Sequence, residues 1–190
     1  SNSIWIPLPC ASCAGWPMAE LILGGARSGK SRYAERRATE SGLDVVYIAT
    51  CQPRDAEMRE RIERHRDQRP AHWALVEEPL ALARVLREQA REDRCLLVDC
   101  LTLWLSNLLL TDDPQAWARE RSALLETLPA LPGRVLLVSN ETGLGVVPMG
   151  ELTRRFVDEA GWLHQALAAD CERVVFCVAG LPQVLKGEPL

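Results

Sequence analysis

The residues best suited to chemistry form one glycine-rich segment, Gly24-Gly25-Ala26-Arg27-Ser28-Gly29-Lys30-Ser31. It fits the pattern G-x-x-x-x-G-K-[ST], in which backbone N–H groups surround nucleotide phosphates. In this pattern Lys30 contacts the outer phosphates and the hydroxyl of Ser31 binds Mg²⁺. An apolar run precedes the segment and a charged, helix-favouring stretch follows it, which is the context that the motif requires. The sequence therefore predicts a P-loop that binds ATP or GTP with Mg²⁺ through these eight residues.

A second chemical feature is an apolar run, Cys95-Leu96-Leu97-Val98, that ends in Asp99. In P-loop enzymes a strand of this kind supplies a carboxylate that shares the metal with the P-loop hydroxyl. A strand that ends in aspartate is also common where the residue only begins a turn. Because the P-loop motif is present, we favour Asp99 as a second Mg²⁺ ligand beside Ser31.

The third feature is a basic segment from Arg61 to Trp73, with four arginines and two histidines in thirteen residues. Such a stretch is often only the solvated face of a helix. In a nucleotide-binding chain, however, an imidazole flanked by Arg64 and Arg66 is suited to attack a phosphoryl group whose charge the arginines offset. Both interpretations of His65 stay open from the residues alone.

A fourth segment, Ser139 to Pro148, is rich in polar residues and glycine and follows another apolar run. A loop in this position could close over a substrate. The same composition is typical of a simple connection in which glycine serves the turn. The residues do not decide between these two interpretations.

The elements that must position these segments alternate along the chain. Short apolar runs cover Leu21 to Leu23, Val45 to Ala49, Trp73 to Val76, Cys95 to Val98, Val135 to Val138 and Val174 to Val178. Helical stretches cover Lys30 to Ser41, Glu57 to Arg66, Leu80 to Arg91, Cys100 to Leu110, Pro114 to Leu128 and Leu152 to Ala169. This alternation predicts an α/β fold with a mostly parallel central sheet and helices on both faces. Ligands in such folds bind beyond the carboxyl ends of the strands.

Length and composition favour one domain, since 190 residues with 47% hydrophobic content can bury a sizeable core. Residues 1–17 resemble no folded element, so we expect a disordered or non-native extension followed by a single domain over 18–190. The net charge of −4 argues against a nucleic-acid partner. Seven cysteines, an odd number, indicate free thiols and a reducing cytoplasm. The longest apolar stretch, Cys100 to Leu110, is about half the ~20 residues that a transmembrane helix needs, so we expect a buried helix there.

Several of these motifs, in this order, resemble the bifunctional adenosylcobinamide kinase and adenosylcobinamide-phosphate guanylyltransferase family of cobalamin biosynthesis. The resemblance covers about Met18 to Lys186 and is carried by Gly24 to Arg32, Tyr47-Ile48-Ala49-Thr50, His65 to Trp73, Ser139 to Gly143 and Val147-Pro148. It implies that the chain phosphorylates the aminopropanol hydroxyl of adenosylcobinamide and then transfers GMP from GTP to that phosphate. It further implies a histidine that carries GMP, a sheet similar to that of recombinase-type ATPases, and a trimer.

The resemblance also implies roles for individual residues. The position that matches the nucleophile is His65, with His72 as the alternative. Further nucleotide contacts are implied at Thr50, Cys51, Gln52, Arg66, Asp67, Gln68, Arg69, Glu77 and Asp99. Two other functions stay open: a P-loop kinase of another small acceptor in which His65 is structural, and a nucleotide-dependent switch without a small-molecule acceptor.

Overall fold

Seven strands form one sheet in the part of the chain that this computed structural model describes, residues 18–52 and 56–189. They are β1 (Met18–Gly24), β2 (Asp44–Ala49), β3 (Ala74–Glu77), β4 (Arg94–Asp99), β5 (Arg134–Asn140), β6 (Arg173–Val178) and β7 (Leu181–Lys186). Their order across the sheet is β3-β2-β4-β5-β1-β6-β7. Strands β1 to β6 pair in parallel, and β7 is antiparallel to β6. The expected extension, residues 1–17, lies outside the described residues.

The helices lie between the strands as the sequence predicts. They are α1 (Lys30–Glu40), α2 (Ala56–Asp67), α3 (Leu82–Gln89), α4 (Leu101–Leu109), α5 (Ala116–Thr127) and α6 (Glu151–Asp170), and a short 3₁₀ turn, Leu128–Ala130, follows α5. Each predicted strand and helix is present, with small shifts at its ends. Strand β7 was not predicted. Its Pro182 lies on an edge strand, where the missing N–H disturbs no ladder, and this proline weakens the strand signal in the sequence.

Alternating side chains of the strands build a separate hydrophobic core on each face of the sheet. On β1, Leu21 and Leu23 belong to one core and Ile22 to the other, as the two-residue period of a strand requires. Helix α1 covers the Ile22 face through Tyr33 and Ala34. Helices α3 to α6 cover the opposite face. Helices on both faces are therefore confirmed, with most of them on one side.

Helix α4 is the buried helix that the apolar stretch after Asp99 predicts. Trp104 is fully buried, and its indole N–H donates to the carbonyl oxygen of Leu80 at 2.7 Å. The rings of Trp104 and Trp117 meet edge to face with centroids 5.2 Å apart, a geometry that aromatic pairs prefer. This packing anchors the chain that leaves the end of β4. Within the described residues, the helices are all too short or too polar to span a bilayer.

The parallel pairing brings the carboxyl ends of six strands to one edge of the sheet. Gly24 at the end of β1 is paired with Asn140 on β5 and with Cys177 on β6. Asp99 at the end of β4 lies next to Ala49 on β2. The glycine-rich segment, the acidic strand end and the Ser139 to Pro148 segment thus share one edge, where the alternating pattern predicts the site.

Candidate nucleotide-binding site

The predicted P-loop connects β1 to α1, with its last glycine in a conformation that other residues rarely adopt. Gly29 has a φ of 89°, and α1 begins at the next residue. The first N–H groups of α1 have no carbonyl partner within the helix, which makes them donors for an anion. The Lys30 ammonium donates to the carbonyl oxygen of Gly25 at 3.1 Å. This bond keeps the cation at the loop.

Ser28 carries an unpaired hydroxyl inside the loop. Its oxygen is buried without a hydrogen-bond partner in the described part of the chain. Gly24 faces this hydroxyl, and a Cβ there would lie 2.2 Å from the Ser28 oxygen. A buried hydroxyl without a partner costs about 1–3 kcal/mol. The loop therefore fits a ligand that brings an oxygen to Ser28, as a phosphate does.

The turn between β6 and β7 supports the P-loop from one side. The N–H of Gly180 donates to the carbonyl oxygen of Ser28 at 2.8 Å. A Cβ on Gly29 would lie 2.9 Å from the Cα of Gly180, too close for the turn to stay in place. Ala179 and Gly180 both have positive φ values, 53° and 76°. The sequence analysis missed this support, although Ala-Gly between two apolar runs is a turn signal.

Asp99 ends β4 beside the P-loop edge and is held by a tyrosine. The hydroxyl of Tyr47, on β2, donates to Oδ2 of Asp99. Burial, followed by the charge of Asp99, raises the pKa of Tyr47 well above its ordinary value of 10.0. The phenol therefore stays protonated and remains a donor at neutral pH. Sequence reasoning gave Tyr47 no role.

Arg69 stacks on the same tyrosine. Its guanidinium carbon lies 3.7 Å from the centroid of the Tyr47 ring, within the range of a cation–π interaction. Both residues line a cavity of about 360 Å³, together with Arg66, Asp67 and Trp73. Four predicted contacts, Arg66, Asp67, Gln68 and Arg69, thus follow one another from the end of α2 toward this cavity.

The two candidate nucleophiles lie in this segment. His65 is in the last turn of α2, and its side chain lies outside the described residues. His72 is exposed in the connection to β3. Arg64 forms an ion pair with Glu60 on the same helix, so its charge is partly neutralised.

Thr50 differs from the other predicted contacts because its polar atoms are already paired. Its hydroxyl accepts from the N–H of Cys100 at 3.0 Å and donates to the Cys100 carbonyl at 2.7 Å. Its own carbonyl accepts from the side-chain amide of Asn107 at 2.7 Å, and its N–H donates to the backbone carbonyl oxygen of Asp99 at 3.2 Å. The side chain is fully buried. This arrangement favours a supporting role for Thr50 over the direct contact that the resemblance implies.

The remaining predicted contacts lie at the same edge of the sheet. Gln52 and Glu77 are exposed, and Cys51 is partly buried. Burial, followed by the charges of Asp99 and Glu77, raises the pKa of the Cys51 thiol. The thiol is therefore neutral at physiological pH and offers only a weak hydrogen bond to a ligand.

Comparison with known proteins decides the family. Residues 20–185 match the family model described as cobinamide kinase / cobinamide phosphate guanyltransferase. The chain belongs to this family. It is 72% identical over 173 residues to the bifunctional adenosylcobalamin biosynthesis protein CobP of Pseudomonas aeruginosa, covering 91% of this chain and 100% of that protein. It is 39% identical over 182 residues to the proteins named CobU in Salmonella typhimurium and Escherichia coli, covering 89% of this chain and 100% of each. The resemblance in the motifs is confirmed.

Two solved structures share the fold. One is a Pyrococcus horikoshii OT3 protein, PH0250, with a TM-score of 0.54 at 7% identity over 90% of this chain and 87% of its own. The other is a prototypical ATPase of a bacterial type III secretion system, with a TM-score of 0.50 at 13% identity over 86% of this chain and 51% of its own. At these identities the likeness concerns the fold alone. It agrees with the P-loop α/β fold that the sequence predicts.

In this member of the cobinamide kinase / guanyltransferase family, the end of β5 is tied to the P-loop and to α4. The N–H of Glu141 donates to the carbonyl oxygen of Gly24 at 3.0 Å. The side-chain amide and the N–H of Asn140 both donate to the hydroxyl of Thr102, at 3.0 and 3.2 Å. Thr102 comes from the first turn of α4, shortly after Asp99. The polar segment is thus held at its start, whichever of its two sequence interpretations applies.

His164 of α6 supports the same strand end from the core side. Its Nε2 and the hydroxyl oxygen of Ser139 lie 2.7 Å apart and share a hydrogen bond. Burial lowers the pKa of His164, and the charge of Glu141 opposes this only in part. The sequence analysis did not name this residue. Its spacing from Ala160 and Leu167 on one helix face is the signal that marks it as a core histidine.

We expect Gly29→Ala to lower the affinity for nucleotide while the chain still folds. The new methyl group would press on Gly180 and place alanine in a left-handed conformation, which costs about 1–3 kcal/mol. Gly42→Ala is a matched control, since Gly42 has a φ of 68° but open space around its Cβ. Titration with an ATP analogue should show about tenfold or greater loss for the first variant only. Equal affinity in the two variants would refute the contact between the turn and the P-loop.

His164 should make the fold sensitive to mild acid. In the unfolded chain its pKa is near the ordinary 6.5, whereas burial lowers it in the folded chain. Above pH 6.5 the neutral imidazole contributes its full stabilisation, and this is lost as the pH falls from 6.5 through the lower folded pKa. The excess stability of the wild type over His164→Gln should therefore shrink as the pH falls from 6.5 to about 5.5 in urea unfolding. A constant difference across that range would contradict the buried neutral state.

Proposed function

We propose that this chain phosphorylates adenosylcobinamide with ATP or GTP and then transfers GMP from GTP to the phosphate, which gives adenosylcobinamide-GDP. The match of residues 20–185 to the cobinamide kinase / cobinamide phosphate guanyltransferase family carries the proposal. The geometry supports it, because the P-loop and the acidic strand end share one edge of the sheet, and Arg69 of the basic segment lies on Tyr47, whose hydroxyl reaches that acid. Each is suited to one part of the two reactions.

The P-loop supplies the phosphate contacts of the kinase step. Lys30 would exchange its bond to the Gly25 carbonyl for one to an outer phosphate oxygen. The unpaired Ser28 hydroxyl and the first N–H groups of α1 are additional donors. The hydroxyl of adenosylcobinamide then attacks the γ-phosphorus, and the bond to the β-phosphate oxygen breaks. Catalysis of this kind depends on positioning and charge neutralisation rather than on a protein nucleophile.

Ser31 and Asp99 are the proposed protein ligands of Mg²⁺. The described residues hold no group of three or more histidine, cysteine, aspartate or glutamate side chains arranged to bind a metal. Mg²⁺ is normally bound by one or two protein oxygens together with substrate phosphates and water. When bound, the ion neutralises charge on the phosphates. Asp99 and Ser31 would fix its place relative to Lys30.

His65 is the proposed nucleophile of the guanylyl step. A neutral imidazole nitrogen attacks the α-phosphorus of GTP, the bond to the β-phosphate oxygen breaks, and pyrophosphate leaves. The phosphate of adenosylcobinamide phosphate then attacks the same phosphorus and releases the imidazole. Arg66 and Arg69, which follow His65, would offset the charge on the transferred group. His72 is the alternative nucleophile.

One P-loop would serve both nucleotides. The sequence contains a single match to G-x-x-x-x-G-K-[ST]. We therefore propose that ATP in the kinase step and GTP in the guanylyl step occupy the same phosphate site in turn. Lys30→Ala would then impair both steps.

The assembly and location expected from the sequence are also proposals. The side chains of Leu144, Val146 and Met149 are largely exposed at 79%, 97% and 96%. A cluster of exposed apolar side chains is typical of a surface that another molecule covers, which supports a homo-oligomer, a trimer by resemblance. The free thiols of the described cysteines, four of them buried, support the cytoplasmic location.

The direct test is the mass of the products formed from adenosylcobinamide, ATP and GTP by the pure protein. We expect the mass of adenosylcobinamide to increase by one phosphate and then by GMP. An increase in product mass by one phosphate alone would favour the P-loop kinase without guanylyltransferase activity. Nucleotide hydrolysis that ignores adenosylcobinamide would favour a nucleotide-dependent switch.

We expect His65→Ala to separate the two activities. With GTP labelled at the α-phosphate, the wild type should retain label that is lost in mild acid and stable in alkali, as an N–P bond is. The variant should retain none, whereas phosphorylation of adenosylcobinamide should largely survive because its own hydroxyl attacks the γ-phosphate. His72→Ala is the matched control and should keep the label.

Peptide mapping under alkaline conditions should locate the label. Label on His72 would transfer the role to that residue. Label on Lys30, or none in the wild type, would contradict the histidine mechanism.

A further inference from the structure

We propose that Tyr47 is a positioning residue that holds Asp99 for the metal with its hydroxyl and Arg69 for the guanylyl step with its ring. The inference deepens the proposed function and rests on it. Tyr47 would reach the reacting groups only through these two neighbours. It would thereby join the metal side of the site to the basic segment that follows His65.

The sheet register explains why a tyrosine can reach Asp99. Tyr47 on β2 is paired with Leu97 on β4, and Asp99 is two residues further along β4. Residues two apart on a strand point to the same face, and Tyr47 and Leu97 belong to the same core. Asp99 is therefore the diagonal neighbour of Tyr47, at a distance that an aromatic side chain spans. The phenol hydroxyl accordingly meets Oδ2 of Asp99.

The bond to Tyr47 defines how Asp99 can bind an ion. With Oδ2 engaged by the hydroxyl, the carboxylate cannot rotate freely. Its remaining acceptor positions then stay in one orientation at the edge of the sheet that carries the P-loop. Because Mg²⁺ demands near-ideal octahedral geometry, a carboxylate fixed in advance binds it better than one that must be ordered on binding.

The ring face of Tyr47 holds Arg69, which is the second part of the proposed role. Tyr47 is 5% exposed, so its ring is a fixed surface rather than a mobile one. The Arg69 guanidinium lies over this surface at 3.7 Å from the ring centroid. A long, flexible side chain in a connecting segment thereby acquires one preferred position beside the cavity. Phenylalanine would keep this ring face and lose the hydroxyl, which allows the two tasks to be tested separately.

The first test measures binding and uses no cobinamide. A GTP analogue that cannot be hydrolysed is titrated into the full chain with Mg²⁺ and, separately, with EDTA. The Mg²⁺ gain is the ratio of the affinity measured with Mg²⁺ to the affinity measured with EDTA. In Tyr47→Phe this gain should fall about tenfold, in the range expected for the loss of one hydrogen bond to a charged group. The affinity in EDTA should stay unchanged. A Mg²⁺ gain equal to that of the wild type would overturn the proposal.

Tyr33→Phe is the matched control. Tyr33 is also buried, at 4% exposure, and its hydroxyl donates to the carboxylate of Glu20 at 2.8 Å. That pair lies on β1 and α1 away from Asp99, so its loss should leave the Mg²⁺ gain unchanged. An equal fall in both phenylalanine variants would mean that Tyr47 acts only through stability and would overturn the positioning role.

A double variant tests whether Tyr47 acts on metal binding through Asp99. If Tyr47 acts through Asp99, adding Tyr47→Phe to Asp99→Asn should cause no further fall in the Mg²⁺ gain. Falls that add in full would show independent effects and contradict the link. Because these titrations need neither phosphoryl nor guanylyl transfer, they report on the link even if the proposed function fails.

The ring is tested by Tyr47→Leu against Tyr47→Phe. At saturating nucleotide and Mg²⁺, the leucine variant should form the GMP adduct several-fold more slowly than the phenylalanine variant, because only leucine removes the ring face on which the Arg69 guanidinium lies. Arg69→Met should reproduce this deficit without changing the Mg²⁺ gain. Equal adduct rates in the leucine and phenylalanine variants would overturn the role of the ring. Absence of any adduct in the wild type would instead count against the proposed function.

Discussion

The P-loop depends on its attachment to both neighbours of β1. Gly24, the last residue of that strand, is paired with β5 on one side and β6 on the other. Beyond the strand end, two backbone hydrogen bonds continue the attachment. The N–H of Glu141 donates to the carbonyl oxygen of Gly24, and the N–H of Gly180 donates to the carbonyl oxygen of Ser28. Without these bonds a glycine-rich loop would sample many conformations, and ordering it would weaken phosphate binding. The glycines make the loop possible, and the neighbouring strand ends determine its shape.

Groups of opposite charge lie near the edge of the sheet that carries the P-loop. In the proposed site a triphosphate binds close to Asp99 and Glu77, in a chain with a net charge of −4. Lys30, the start of α1 and the basic segment after His65 supply local positive potential, and Mg²⁺ would link the carboxylate to the phosphates. Tyr47 contacts both an acidic and a basic member of this set. Its hydroxyl and its ring therefore reach two charged residues of opposite sign from one buried side chain.

Local patterns in the sequence predicted the fold that frames the proposed site. The P-loop motif, the acid at the end of β4 and the alternation of strands and helices are each readable within a short window, because they depend on neighbouring residues. The supports were missed because they join distant residues. Ser139 and His164 meet across β5 and α6, and the turn at Gly180 reaches Ser28 only once β6 lies beside β1. Thr50 illustrates the reverse, since the motif suggested a contact and the fold encloses the side chain.

If one P-loop serves both reactions, ATP and GTP must compete for it, so the decisive experiment is a competition between the two nucleotides. The full chain is saturated with an ATP analogue that cannot be hydrolysed, and a GTP analogue is then titrated in while both are counted per chain. The GTP analogue should displace the ATP analogue at a constant total of one nucleotide per chain, and Lys30→Ala should weaken the binding of both. Simultaneous binding of the two analogues, or loss of only one of them in Lys30→Ala, would contradict it.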